Sequence, residues 1–307
     1  MTPNFLALEE AQLAIRGLID RREGGLVSRL GSVEYDTLKL WSKRRRFPST
    51  EWLPTGIARP LEKFFWNSTV LDRLETRAGF YPVDSSTVDE FCHIYLDSSR
   101  EIDLFGSWLE NDHLLAKLGK HAELTRLAFL EPFFSANPWT ESLVGKRVLV
   151  ITPFEDSVRR QMSRRAEIFK DSRLLPDFEL LTVRAPQTKQ SIDRSAVFPW
   201  PTWFDALQET KAKIAALDFD LAIIGAGAYG LPLGAFVKRM NRVAIHLGGP
   251  TQLLFGIRGS RWEKNDEYRA LIRPSWTYPS DAETPVFYRE QGGYWGPKDG
   301  ANLSEDP

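Results

Sequence analysis

The sequence contains few of the residues that carry thiol and metal chemistry. Its 307 residues include one cysteine, Cys92, and four histidines. A single cysteine excludes an intrachain disulfide and a zinc cluster of cysteines, and it suits a reducing compartment. We expect Cys92 to be a small buried residue and not a nucleophile.

The sequence also lacks an excess of charge and a long apolar run. Lysine and arginine total 40, aspartate and glutamate total 41, and the net charge is -1. No overall field therefore attracts nucleic acid or an anionic membrane, and a nucleic-acid partner is not expected. No apolar run approaches the ~20 residues that a membrane span requires, which leaves only peripheral membrane association open.

The N-terminal segment has apolar residues at helical spacing and ends in two glycines: "MTPNFLALEEAQLAIRGLIDRREGG". This pattern predicts an amphipathic helix and not a signal peptide, whose apolar region would be uninterrupted. Because neither a leader nor a membrane span is expected, the sequence predicts a cytoplasmic protein.

Strand and helix patterns alternate between about residues 146 and 258. Short β-branched runs predict strands in "KRVLVITPF", "FELLTVRAP", "FDLAIIGAG" and "NRVAIHLGG", and periodic segments between them predict helices. Such alternation indicates parallel strands with crossover helices on both faces. We therefore predict an α/β protein with a Rossmann-like three-layer fold and a mainly parallel sheet.

The earlier part of the chain adds a further strand, tight turn and helix in "GGLVSRLGSVEYDTLKLWSKRRRF". Between about residues 48 and 145 the pattern is mostly helical, as in "EIDLFGSWLENDHLLAKLGK", and indicates a helical excursion from the sheet. We expect residues 1–262 to form a single domain. Residues 263–307 form a tail rich in proline, tryptophan and tyrosine, and its end is expected to be disordered.

A glycine motif, G-x-G-x-x-G, follows one predicted strand and opens a helix at Gly225, Gly227 and Gly230. Bare backbone N–H groups and the helix dipole favour an anion at such a turn. A dinucleotide enzyme carries an acidic residue roughly 20 residues further on, at the end of the next strand. None stands between Leu231 and Trp262. We therefore expect a phosphorylated ligand other than NAD, with a plain tight turn as the structural alternative.

A second strand end carries the sequence "TPFEDS". Thr152 and Glu155 have the spacing of a capping box, with Pro153 at the first helical position, so the segment is explained by helix capping alone. The same helix start is nevertheless expected at the sheet edge that holds Gly225, where ligands of open α/β folds bind. Thr152, Pro153, Phe154 and Glu155 are therefore also candidate site residues.

A third strand-to-helix turn is "SRLGSVEYD". Ser32 is a plausible helix cap, and Glu34 in the first turn is favourable to the helix dipole by up to about 1 kcal/mol. Arg29 and Gly31 before it add a second interpretation. An arginine beside a glycine turn neutralises phosphate, and a following carboxylate holds a divalent ion or accepts a proton.

The last turn of this kind is "HLGGPTQLLFGIRG". His246 at the strand end is followed by Gly248, Gly249 and Gln252, so an imidazole and bare amides are expected beside the glycine motif. A purely structural histidine is the alternative. Two arginines downstream are able either to reach a phosphate or to remain solvated: Arg258 and Arg261.

In their order along the chain, these turns resemble a known enzyme family. The segments are "RLGSVE", "NPWTESLVGKRVLVITPFEDSVRRQ" and "DLAIIGAGAYGLPLGAFVKRMNRVAIHLGGPTQLLFGIRGSRW". They are similar to the bacterial GT-D fold glycosyltransferases, Rossmann-like enzymes of surface polysaccharide and glycoprotein assembly, over most of residues 25–262. In that family an Asp-x-Glu motif in the first turn serves a metal and the nucleotide sugar. Ser32 and Glu34 match it, and because serine replaces the aspartate, dependence on Mn²⁺ or Mg²⁺ stays open.

The resemblance implies a hexosyltransferase of bacterial polysaccharide or glycoconjugate biosynthesis. It would move a sugar from a nucleotide-sugar donor to a hydroxyl of a saccharide, lipid-linked or protein glycan acceptor, without NAD. Glu34 and His246 would be catalytic, with Glu34 as metal ligand or general base. The donor would contact the following residues: Arg29, Gly31, Ser32, Thr152, Pro153, Phe154, Glu155, Gly225, Gly227, Tyr229, Gly230, Gly248, Gly249 and Gln252. The alternatives are a non-catalytic nucleotide-sugar-binding protein and an NAD(P)-dependent oxidoreductase.

Overall fold

One eight-stranded sheet forms the centre of the protein, and every recorded strand pairing in it is parallel. The computed structural model describes residues 4–21, 23–44, 67–108, 122–189 and 195–284. In the sheet the strands lie in the order β1-β4-β3-β2-β8-β7-β5-β6. Their bounds are β1 Phe5–Leu6, β2 Gly25–Arg29, β3 Leu104–Ser107, β4 Glu123–Arg126, β5 Arg147–Thr152, β6 Glu179–Arg184, β7 Leu221–Ile224 and β8 Val243–His246. The predicted Rossmann-like α/β fold with a mainly parallel sheet is confirmed.

The helices surround this sheet and connect its strands. Their bounds are α1 Leu8–Asp20, α2 Ser32–Arg44, α3 Ser68–Arg73, α4 Ser85–Ser99, α5 Glu155–Met162, α6 Trp203–Ala215, α7 Gly230–Arg239, α8 Thr251–Leu254, α9 Ser260–Glu263 and α10 Asp266–Arg269. A π-helical turn, Leu74–Ala78, continues α3, and a 3₁₀ turn, Gly227–Tyr229, precedes α7. No helix among these described segments is long and apolar enough to cross a membrane.

Apolar side chains fill both faces of the sheet. Along β5, Val148 and Val150 join one buried cluster, while Leu149 and Ile151 join the other. This alternation follows from the two-residue period of a strand, and strands covered on both faces need apolar residues at every position. The two clusters therefore place the sheet in the middle layer of three.

Neighbouring strands continue into helices on opposite faces of the sheet. After β5 the chain enters α5, whose Val158 belongs to one cluster, and after β7 it enters α7, whose Leu231 and Leu233 belong to the other. Ile151 of β5 pairs with Ile224 of β7, so the two strands end level with each other. Such a divergence opens a crevice at the carboxyl edge, where open α/β folds bind ligands.

The helical excursion predicted for residues 48–145 is shorter than expected. Helical structure covers α3, the π turn and α4, but β3 and β4 are strands of the sheet, and the helical interpretation of "EIDLFGSWLENDHLLAKLGK" is wrong at residues 104–107. These four residues are buried between β2 and β4, and pairing on both sides outweighs a local helical preference. Residues 45–66 and 109–121 lie outside the described part of the chain.

The described part of the predicted tail packs on the domain. Trp276 is buried, and its indole N–H donates to the carbonyl of Ile168 at 2.7 Å. Glu283 is buried as well, and its Oε1 accepts from the N–H groups of Asp156 and Ser157 at 2.7 and 3.1 Å. Residues 263–284 thus complete the domain. The rest of the tail, residues 285–307, including the end predicted to be disordered, lies outside the described residues.

Glu283 also explains why the predicted capping box is not formed. The cap residue of α5 is Phe154, and Thr152 Oγ1 accepts the N–H of Phe154 at 3.2 Å. The Glu155 carboxylate accepts from the hydroxyl of Thr182 at 2.5 Å on the neighbouring strand. A carboxylate from a distant segment replaces the local cap, because it accepts two free N–H groups of the first turn, those of Asp156 and Ser157, and complements the helix dipole.

Candidate functional site

The turns after β2, β5, β7 and β8 line one cavity of about 560 Å³, which we call the main cavity. Its position at the carboxyl edge and its size are those of a small-molecule site. The structure brings most of the predicted site residues together there: Arg29, Gly31, Ser32, Glu34, Thr152, Pro153, Phe154, Gly225, Gly227, Tyr229, His246, Gly248, Gly249 and Gln252. Of the predicted residues, Glu155 and Gly230 do not line it.

The glycine motif has a different physical reason at each position. A Cβ atom at Gly225 would lie 2.7 Å from Cβ of Thr251, so the turn after β8 requires a glycine there. Gly227 has a φ of 52° and nothing within 4 Å of an added Cβ, so its backbone is left-handed and open. A Cβ at Gly230 would lie 2.1 Å from Nε2 of His246. Packing therefore explains Gly225 and Gly230, while Gly227 leaves space at the cavity.

Glu34 is 8% exposed, and its carboxylate folds back over the start of α2. A Cβ at Gly31 would lie 2.0 Å from Oε2 of Glu34, so the glycine makes room for the carboxylate. Burial raises the pKa of Glu34, and the hydrogen bond from its own N–H and the charges of Arg29 and Lys189 oppose the rise. The helix begins at Ser32 itself, so Ser32 is its first residue and not the predicted cap.

His246 forms part of the cavity wall as a buried neutral ring. Its Nδ1 lies 2.9 Å from Oγ of Ser28, and its Nε2 packs against Gly230. Burial, reinforced by the charge of Arg29, lowers the pKa of His246 to about 3. A ring with this pKa is a weak base at neutral pH, so the geometry favours a positioning role over the predicted catalytic role.

Positive charge dominates the side chains around the main cavity. Glu34 is the one carboxylate among the described residues that line it, against four cations: Arg29, Arg77, Lys189 and Arg261. Within the described segments, no group forms a hydrogen bond or an ion pair with the Arg29 guanidinium, and an added Cβ at Gly248 would lie 3.1 Å from its Nη1. A protein with a net charge of -1 thus concentrates cations at one place, which favours an anionic ligand.

Two residues in the wall of the same cavity carry a buried polar atom without a partner. Thr251 is 1% exposed, and among the described residues neither its Oγ1 nor Oε1 of Gln187 has a hydrogen-bond partner. An unsatisfied buried polar group costs roughly 1–3 kcal/mol. Thr251 and Gln187 both line the main cavity, so this cost falls on the wall of the candidate site.

The sequence patterns did not reveal several residues of the site. Thr188 and Lys189 follow β6, and Thr188 Oγ1 donates to the carbonyl of Gly79 and lies 2.7 Å from the Tyr229 hydroxyl. The polar segment "PQTK" after a predicted strand was a usable signal for this turn. Arg77 comes from the π turn after α3, and only tertiary packing brings it to the cavity.

The side chains do not form a metal site by themselves. Across the described residues there is no cluster of three or more histidine, cysteine, aspartate or glutamate side chains able to hold a metal ion. Glu34 stands alone among Arg29 and Lys189, whose charges repel a divalent cation. The donor set therefore fits an anion better than Mn²⁺ or Mg²⁺.

Comparison of the chain with protein-family models, with curated proteins and with solved structures finds no match. The function is therefore argued from the residues of the site, and the resemblance to GT-D glycosyltransferases stays a prediction.

Proposed function

We propose that the protein is a glycosyltransferase whose main cavity binds a nucleotide-activated sugar through its diphosphate. The observation that carries the proposal is the set of four cations around one buried carboxylate, among them Arg29, whose guanidinium has no hydrogen-bond or ion-pair partner in the described part of the chain. Hydrogen bonds between charged groups are about twice as strong as neutral ones, so a cluster of cations at the sheet edge favours a diphosphate.

The position of Arg29 also suits the chemistry of transfer. An acceptor hydroxyl oxygen would attack the anomeric carbon while the bond from that carbon to the diphosphate breaks and its electron pair stays on the leaving group. Preorganised donors aimed at developing charge lower the barrier of such a step. Arg29 at the end of β2 and Lys189 after β6 would stabilise the leaving diphosphate from two sides.

Glu34 is assigned to the donor in this proposal. Its carboxylate lies at the start of α2, packed over the turn of Gly31 and within the influence of Arg29. A buried carboxylate at this place accepts hydrogen bonds from sugar hydroxyls, and it orients the donor against the cations. No step of the proposal passes through a metal ion.

Two features argue against a dinucleotide as ligand. The strand that follows the glycine motif is β8, and it ends in His246 where a ribose-binding acid would stand. Gly225 and Gly230 are already accounted for by Thr251 and His246. The motif alone therefore gives no support to an oxidoreductase.

A thermal-shift screen tests the proposal with nucleoside diphosphates, nucleotide sugars, inorganic diphosphate and NAD(P). A ligand at 100 times its Kd stabilises the fold by about 2.7 kcal/mol. We expect the nucleotide sugars and diphosphates to raise the Tm, and NAD(P) to leave it unchanged. Stabilisation by NAD(P) alone would overturn the proposal, and binding without transfer or hydrolysis would favour a non-catalytic nucleotide-sugar-binding protein.

Arg29→Ala sharpens the screen. Loss of a charge-assisted contact worth about 1.5–3 kcal/mol should weaken donor binding roughly 10- to 100-fold. Arg100→Ala is the matched control, because Arg100 is exposed and pairs with Asp97 away from the cavity. Equal donor affinity in both variants would remove Arg29 from the site.

A further inference from the structure

A second pocket of about 600 Å³ adjoins the main cavity, and we call it the side pocket. The two spaces share Arg29, Gly249 and Arg261 as lining residues. The side pocket lies beyond β2, toward the ends of β3 and β4, and its other wall comes from the segment around α9 and α10. A reactant here would meet a reactant in the main cavity at Arg29.

The side pocket contains a buried carboxylate that is held in place. Glu131 is 6% exposed, and its Oε2 accepts the hydroxyl of Tyr268 at 2.7 Å. Its main-chain carbonyl accepts Nε2 of Gln12 at 3.0 Å, which fixes the backbone. No described residue donates a hydrogen bond to Oε1. One carboxylate oxygen is therefore anchored, and the other remains available to a reactant.

The pKa of Glu131 lies near neutral pH. Burial raises its pKa to about 7, against the hydrogen bond from Tyr268 and the charges of Arg29 and Arg261. Arg126, at the end of β4, is the further charged residue that lines the side pocket. Burial and the adjacent Glu131 keep the pKa of Tyr268 far above its ordinary range, so the phenol remains a hydrogen-bond donor.

Trp108 lines the side pocket, where its ring is placed to stack against a sugar. Trp108 is 43% exposed, although its indole N–H donates to the carbonyl of Leu30 at 3.0 Å. Its ring meets Tyr35 edge to face, with centroids 5.6 Å apart. A ring held by its N–H group and by a second aromatic ring presents an ordered apolar surface, and the C–H face of a saccharide packs on such a surface.

We propose that the side pocket binds the acceptor as a hydroxylated saccharide, and that Glu131 is the general base that takes the proton from its attacking hydroxyl. The inference rests on the proposed function. The acceptor oxygen forms a bond to the anomeric carbon, the bond to the diphosphate breaks, and the leaving group keeps the electron pair. The acceptor proton moves to the Glu131 carboxylate and then to water.

The arrangement separates the two carboxylates by task. Glu34 lies over Gly31 in the main cavity, whereas Glu131 lies in the side pocket with a phenol as its partner. A base is most effective when its pKa is close to the working pH, and a positioned base contributes on the order of 100- to 10,000-fold. Tyr268 touches Glu131 and is a positioning residue in this account.

The main test is Glu131→Gln, assayed with a donor identified by the binding screen. The acceptors are methyl and 4-nitrophenyl glycosides of glucose, galactose and N-acetylglucosamine, with water as the acceptor in their absence. We expect transfer to fall on the order of 100-fold or more while donor Kd changes less than about twofold. Glu123→Gln is the control, because Glu123 is an exposed residue at the start of β4. A Glu131→Gln protein with unchanged transfer would overturn the assignment.

Two further variants keep the inference testable if Glu131→Gln does not fold. Tyr268→Phe removes a hydrogen bond that lowers the pKa of Glu131, so the acidic limb of the rate profile should move to higher pH. Trp108→Ala should raise the KM for the glycoside severalfold and leave that for the donor unchanged. An unmoved pH limb, or no glycoside binding by a protein that binds donor, would contradict the acceptor assignment. Failure of donor binding in the unmodified protein would instead contradict the proposed function.

Discussion

Glu34 and Glu131 are both buried carboxylates at the same edge of the sheet, yet they lie in very different surroundings. The neighbours of Glu34 are its own N–H, a glycine three residues earlier and two cations. Glu131 also lies near two cations, Arg29 and Arg261, but its carboxylate is held by a phenol from a segment 137 residues away. The same loss of water raises the pKa of both, and the partners then decide what each group does.

The two spaces around these carboxylates differ in the same way. Backbone turns and cations line the main cavity, which suits an anion that is held in place. The side pocket also has three arginines, Arg29, Arg126 and Arg261, but it adds an exposed tryptophan and one anchored carboxylate, which suits a hydroxyl that must lose a proton. In the proposed function, donor binding and proton transfer therefore take place in separate neighbouring spaces, with Arg29 lining both.

The strongest test of this division is Glu34→Gln. If the carboxylate only complements the helix dipole, the change costs at most about 1 kcal/mol of stability and leaves turnover intact. We expect kcat/KM to fall on the order of 100-fold, mainly through donor KM, because the lost contacts orient the donor. Steady-state kinetics and a denaturant melt on one purified variant measure both quantities.

The control for Glu34→Gln is Glu10→Gln, another acid in a first helical turn. Glu10 accepts the N–H of Ala7 at 2.8 Å and lies outside both pockets. It should lose a similar amount of stability and no turnover. A Glu34→Gln enzyme that behaves like this control would leave the main cavity to Arg29 and its neighbours.

Gly230→Ala tests whether the glycine motif is required for packing of the cavity wall. The added methyl would meet the His246 ring, and overpacking of this kind costs about 1–3 kcal/mol. Gly227→Ala should cost about 1 kcal/mol, since its strain comes only from the positive φ. Urea denaturation of the two variants gives the ranking, and the reverse order would contradict the packing explanation of the motif.

The pH dependence of stability distinguishes Glu131 from an ordinary carboxylate. Its pKa is raised from 4.5 unfolded to about 7 folded, so the folded state binds more protons between these values. Stability contributed by this group is therefore present below about pH 4.5 and is lost as the pH rises through 7. Glu131→Gln should lose less Tm than the unmodified protein between pH 5 and about pH 8. If the Tm of the two proteins changed with pH by the same amount, the raised pKa of Glu131 would be contradicted.

The smallest expected effect is that of a chelator. Because four cations surround the main cavity and Glu34 is its single described carboxylate, EDTA should leave donor binding and transfer within about twofold of the untreated protein. Calorimetric donor titration with and without EDTA is the measurement. If EDTA abolished donor binding and Mn²⁺ or Mg²⁺ restored it, a metal ion would bind the diphosphate in place of the arginine and lysine side chains.

Sequence patterns predicted much of the main cavity because its residues follow strands with clear signals. Runs such as "KRVLVIT" and "LAIIG" are apolar on both faces, and glycines or helix starts come directly after them. Parallel strands end at a common edge, so residues such as Thr152, Gly225 and His246 had to lie near each other. The same reasoning expected Glu155 at the cavity, but its carboxylate accepts the hydroxyl of Thr182 on β6 and does not line the cavity.

The side pocket had no comparable signal. The segment that contains β3 has a helical pattern, so the sequence did not predict this strand. Without β3, the end of β4 and Glu131 could not be placed at the sheet edge. The one hint was a glutamate inside the apolar run "LAFLEPFF". A carboxylate in such a run is expected to be buried, but its partner cannot be read from neighbouring residues.

By itself, the sequence determined the alternation of strands and helices, the edge at which the turns meet and most of the residues in those turns. These depend on periodicity and on groups close along the chain. Only the tertiary structure decided the environment of each ionisable group. Three remote segments meet at Glu131, through Gln12, Arg29 and Tyr268. The cap of α5 is Glu283, which is 127 residues from Asp156 in the sequence. Solvation and charge act through space, so segments that are far apart in the chain together determine the pKa of a group. The sequence near that group shows only its position in the chain.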